Sequence, residues 1–139
     1  MEDPASYADD PAVEDDAFLW RRVPRQWVIK DENIGGFRPS SAAFQDSSSS
    51  PMSVLIERIV TATQRTPAEV LKGYDEYSLC CFTAGVARAL GQRVATRPEI
   101  PEEPAHGFVA GKKTGRVRSE LSKASIWVIL NLSEPSPSS

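Results

Sequence analysis

The sequence predicts an α+β fold: a single small domain with a mixed or antiparallel sheet and three to four short helices. Three observations lead there. Strand-like apolar runs at residues 18–23, 77–82 and 126–132 are interspersed with short helical signatures. The two kinds alternate irregularly, without the repeat that builds a parallel sheet. With 139 residues, 40% hydrophobic and 25% charged, the chain suffices for one core and is marginal for two.

The ends set the boundaries of that domain. Residues 1–16 contain Glu2, Asp3, Asp9, Asp10, Glu14, Asp15 and Asp16 and no Lys or Arg. Residues 133–139 are almost entirely Ser and Pro. Neither segment carries the apolar surface to offset its own ordering entropy. Residues 1–16 are therefore expected to be a disordered acidic tail, 17–132 the globular domain, and 133–139 a disordered Ser/Pro tail.

The elements follow in order. Pro24 splits the first apolar stretch into two short strands, 18–23 and 26–30, or marks it as an edge strand. Asn33, Ile34, Gly35 and Gly36 make a turn, and residues 37–44 read as extended because Pro39 biases Arg38 away from helix. Residues 47–51 form a loop. Leu55, Ile56, Ile59, Val60 and Thr63 then recur with the period of a buried helix face.

Thr66, Pro67 and Glu69 form a capping box with Pro at the first helical position, and Gly73 stops that helix. Residues 77–82 read as a buried strand, and Thr83 caps a helix closed by Gly91. A short strand at 93–96, a Pro- and Glu-rich loop at 97–104 and a strand at 107–110 come next. A basic turn at 111–115 and a helix at 117–125 precede the last strand, 126–132, whose continuous apolar run suggests a central position.

Charge and cysteine usage narrow the class. The chain carries −3, yet without the leader 16 bases face 12 acids, a balance of +4. The leader is then either a solvated tail or a mask over a basic surface meant for an anionic partner. No window approaches eighteen apolar residues, and no basic segment followed by an apolar one opens the chain. Neither a membrane span nor a secretory signal is expected. Cys80 and Cys81 are adjacent and have no distant partner, which suits buried free thiols in a reducing compartment such as the cytoplasm.

The chemistry-bearing residues are few. His106 is the only histidine, and with one adjacent cysteine pair it makes no zinc spacing, so no metal or cofactor is implied. In its Pro-Ala-His-Gly context it reads as a surface or hydrogen-bonding residue, or as a general acid–base with Ser40 or Ser41 as nucleophile. No Gly-x-Ser-x-Gly elbow supports a hydrolase. The Gly111-Lys112-Lys113-Thr114-Gly115 segment misses the spacing of a nucleotide-binding P-loop. It does concentrate charge, since Lys112, Lys113, Arg116, Arg118 and Lys123 face one acid, Glu120. This is a solvated face or a contact for phosphate. Trp20, Trp27 and Trp127 fall in predicted strands and read as packing residues.

Two resemblances bear on these positions. Arg21 and Arg22, then Ser40 and Ser41, then Glu120 resemble the Arg, Ser, Glu order of ADP-ribosyltransferases. That resemblance implies Arg and Ser holding NAD and Glu orienting its ribose, although the family's strand after Ser and its Glu context are absent here. The string Leu19-x-Arg21-Arg22, residues 38–44, Met52-Ser53-Val54 and Pro104-Ala105-His106 also resembles a pattern in short bacterial proteins to which no activity is attached.

The expected function is a non-catalytic binding module of the bacterial cytoplasm. It would recognise a protein or a phosphate-bearing partner, nucleotide or RNA, through Arg21, Arg22, Arg38, Ser40, Ser41, His106, Lys112 and Lys113. The alternative is a small enzyme acting on RNA or a nucleotide, with His106 as acid–base.

Overall fold

Alternation along Phe18–Pro24 sets the architecture. Leu19 and Val23 are buried on one side of this strand and Trp20 on the other, so both of its faces need cover. In the computed structural model, which describes residues 7–96 and 103–132, that strand, β1, runs inside a six-stranded sheet. A 3-10 turn (Arg25–Trp27) leads to β2 (Val28–Asp31) and β3 (Gly36–Pro39), then a second 3-10 turn (Ser41–Ala43) and β4 (Met52–Ile56). There follow α1 (Glu57–Ala62), α2 (Pro67–Val70), β5 (Tyr77–Thr83), α3 (Ala84–Ala89) and β6 (Arg93–Thr96). The described chain ends with β7 (His106–Ala110), α4 (Gly115–Ala124) and β8 (Ile126–Ile129).

The main sheet runs β6-β7-β4-β1-β5-β8 with every pairing antiparallel, and β2 and β3 pair as a separate hairpin. The expected α+β domain is therefore what the chain builds. One face buries Leu19, Val54, Ile56, Cys80 and Phe82 against Ala84 and Ala87 of α3, Val117 and Leu121 of α4 and Val28 of the hairpin. The other buries Trp20, Leu55, Leu79 and Cys81 against Val60 of α1 and Val70 of α2.

Local signals place the short helices. Thr66 and Glu69 complete a reciprocal capping box on α2, while Thr83 and Thr114 accept from Val86 N–H and Val117 N–H at the starts of α3 and α4. Gly73 and Gly91 follow their helices at φ +86° and +79°, where a side chain would strain the backbone.

Four expectations change. The helical pattern from Leu55 starts too early: Leu55 and Ile56 belong to β4, where Leu55 pairs with both Trp20 and His106, and only residues 57–62 are helix. Two ladders outweigh a local period that a short apolar run also satisfies. The extended reading of 37–44 ends at Pro39, because Ser40 caps a 3-10 turn by accepting from Ala42 N–H. The last strand is an edge strand, its apolar run explained by Trp127 packing on one core and Val128 and Ile129 on the other, across a β-bulge.

The leader is the fourth correction. Residues 7–16 are docked on the body instead of forming part of a disordered tail. Asp10 N–H donates to Val94 O (2.8 Å) and Val94 N–H to the Asp9 carboxylate (2.8 Å), so the leader covers the outer edge of β6. Arg88 Nε reaches Asp9 (3.0 Å) and its Nη1 reaches Asp15 (2.7 Å), while Thr96 donates to Asp10 (2.7 Å). Val13 is fully buried, and Tyr7 packs edge-on against Phe108. Seven acids hid two apolar anchors and a matching Arg. Residues 1–6, 97–102 and 133–139, including most of the expected 97–104 loop and the Ser/Pro tail, lie outside the described residues.

Candidate functional site

A wedge in the sheet creates the site. β1 and β4 share only the pairs Leu19–Ile56 and Trp20–Leu55. Beyond them β1 stays with β5 as far as Pro24–Tyr77, and β4 stays with β7 back to Met52–Val109, so the two strands part. Parting strands leave backbone acceptors without ladder partners. Arg21 supplies the donors: Nη1 donates to Ser53 O (2.8 Å) and Nε to Ala43 O (2.9 Å). Burial lowers its pKa from the usual value, but a guanidinium stays charged.

Three cavities of about 880, 270 and 520 Å³ lie along the wedge and share walls, since Arg21 and Ser53 line all of them. Arg22 and Tyr74 line the first two, Trp27 the first and third, and His106 the second and third. Residues far apart in sequence thus share one groove.

Each side chain is held by its neighbours. Arg22 Nε donates to Val70 O (3.1 Å) and its guanidinium carbon lies 4.1 Å over the Tyr74 ring, a cation–π contact. Tyr74 meets Tyr77 edge-on at 5.3 Å. His106 N–H donates to Glu103 O, and its ring lies 4.5 Å from Phe108. Glu103 takes both terminal nitrogens of Arg65 (2.8 and 2.6 Å), which holds its carboxyl below and the guanidinium above their usual pKa values.

The expected contact surface divides in two. Arg21, Arg22 and His106 come together in the groove. Lys113 is buried behind it, its Nζ donating to Val109 O (2.7 Å) and Gly111 O (2.9 Å) and pairing with Asp46 (3.1 Å); burial lowers its pKa. Arg38 is occupied elsewhere by Asp31 (2.8 Å), Pro39 O and Ser122. Ser40 caps its turn, and Ser41 O accepts from Phe44 N–H. Lys112 is exposed and offers only its carbonyl, to Gln92. None of these last four lines the three cavities.

No family model, curated protein or solved structure matches this chain. Its chemistry is therefore read from the groove alone. Sequence reasoning missed Arg25, Tyr74 and Glu103, which no local pattern marks, while Ser53 enters only through the Met52-Ser53-Val54 resemblance and has no place in the expected contact surface. Only the parting of β1 from β4 brings these residues to the groove wall. Burial pushes the Cys80 thiol up to about 12 and Cys81 up to about 11, which keeps both protonated at neutral pH. Among the described residues no group of three His, Cys, Asp or Glu is placed to hold a metal ion, and no helix is long and apolar enough to cross a membrane. The groove offers fixed cationic donors, a hydroxyl, an imidazole and aromatic rings. That set suits recognition of an anion bearing other groups.

Proposed function

We propose that the chain is a non-catalytic binding module whose β1–β4 groove recognises an anionic group, a phosphate or a carboxylate. One observation carries this reading: Arg21, Arg22 and His106, drawn from distant parts of the chain, line one cavity together with Ser53. Arg21 is already committed to two carbonyls and frames the site, whereas Arg22 is stacked on Tyr74 and presents a planar donor edge.

Calorimetric titration with pyrophosphate and with a dicarboxylate tests it. Arg22→Ala is expected to weaken binding roughly 10-fold or more, the worth of a charge-assisted hydrogen bond. Affinity should also fall as salt rises from about 50 to about 200 mM. Binding that ignores both Arg22 and salt would sink the reading. The imidazole in the groove favours one other reading, a small enzyme on RNA or a nucleotide with His106 as acid–base. His106→Ala would then abolish turnover and leave binding intact.

A further inference from the structure

We infer that the ligand of this groove is a nucleoside monophosphate, seated in the cavity of about 880 Å³ with its phosphate on the arginines and its base against Trp27. The inference rests on the anion-binding reading and names the ligand. The cavity of about 880 Å³ falls within the range of sites that enclose one small ligand. Arg21, Arg22 and Arg25 line it from β1 and the turn that follows, while Asp75 and Glu76 line it from the turn before β5. Glu76 holds φ +67°, a left-handed conformation that is uncommon for a residue with a side chain and recurs at ligand sites.

This arrangement of opposite charges selects among anions. A strand of nucleic acid threaded through the groove would bring successive phosphates past Asp75 and Glu76. Each of those phosphates would meet like charge at close range and be repelled. One phosphate on the arginines avoids that cost, and the carboxylates are then free to accept hydrogen bonds from sugar hydroxyls.

The rings decide what the rest of the ligand is. Tyr74 carries Arg22 on one face and meets Tyr77 edge-on, so it serves to hold the guanidinium flat. Trp27, half-buried and packed in part against the core, lines the same cavity, and no aromatic ring of the described residues pairs with it. An indole beside a phosphate site is a stacking surface for a planar base.

The test titrates the full chain with adenosine and cytidine monophosphates, ribose 5-phosphate, inorganic phosphate and a short single-stranded oligonucleotide. Heat and tryptophan fluorescence are followed together. The nucleotides should bind about 10-fold tighter than ribose 5-phosphate, the usual contribution of one stacked base. Trp27→Leu should erase that preference, so that the nucleotides bind no tighter than ribose 5-phosphate to the same variant, and Trp27→Phe should restore most of it. Equal binding of nucleotide and ribose 5-phosphate overturns the nucleotide assignment and leaves the anion groove standing. Tighter binding of the oligonucleotide than of the mononucleotides also overturns it, in favour of a strand. If no phosphate compound binds, the groove reading fails as well.

Discussion

Arg21 is a side chain standing in for a strand. Where β1 leaves β4, its guanidinium donates to Ser53 O and Ala43 O, two acceptors that a continued ladder or water would otherwise satisfy. Arg21→Met keeps most of the stem and removes the donors, stranding two carbonyls. It is expected to cost about 2–3 kcal/mol, read as a lower urea midpoint at unchanged slope. Arg21→Lys should recover little, because Arg21 meets Ala43 O and Ser53 O from two separate nitrogens of a rigid fork, Nε and Nη1, and a single nitrogen does not reproduce both positions. Lys113 is a comparable case, since its position in a basic turn suggested a surface contact but its Nζ is buried on two carbonyls and Asp46. Position along the chain could not distinguish these two cations from a free one such as Lys112.

At the scale of elements, the short helices rest on their caps more than on their length. A helix of six residues is too short to be stable on its own propensity, so its first turn and its packed face decide whether it forms. In α3 the Thr83 hydroxyl accepts from Val86 N–H, while Ala84 and Ala87 are buried against the sheet. Thr83→Ala is expected to destabilise the fold by about 1 kcal/mol in thermal or urea unfolding, and Thr83→Ser to lose much less. These caps were legible in the sequence because a capping box and an N-cap Thr act over three residues. The boundary between β4 and α1 was not. Leu55 and Ile56 suit either period, and only their partners on β1 and β7 assign them to the strand.

Across the whole molecule, the leader joins edge protection to the groove. It covers β6 through Val94 and packs Tyr7 on Phe108, whose ring in turn touches His106. The Asp10 pKa is lowered by hydrogen bonds from Thr96 and Ala12 N–H. For Asp9, burial acts upward, but the bonds from Val94 N–H and Arg88 outweigh it and the net shift is down. The folded state therefore binds fewer protons than the unfolded chain. The stability these carboxylates contribute is full above their ordinary 3.8 and is lost as pH falls through the depressed folded values. Hydrogen exchange should show Val94 N–H losing protection in that window, ahead of the amides of β5. A variant lacking residues 1–16 should expose Val94 at every pH and melt at a lower temperature, since Tyr7 and Val13 lose their burial.

The sequence by itself determined what depends on near neighbours. Strand and helix segments, the Thr66 and Thr83 caps, the glycine stops and the α+β class all follow from periodicity and from hydrogen bonds spanning a few residues, whereas the Thr114 cap on α4 emerges only in the structure. It also singled out Arg21, Arg22 and His106 as polar groups worth attention. Only the tertiary structure decided which cations are free and which are bound into the fold, because a guanidinium's partners are carbonyls 22 to 48 residues away. It also decided that an acidic leader docks, since Arg88 and the open edge of β6 supply a complement that composition alone does not reveal. The groove belongs to that second kind. It exists because two strands that begin paired part company, and a divergence between strands so distant in the chain leaves no mark in the local sequence of either.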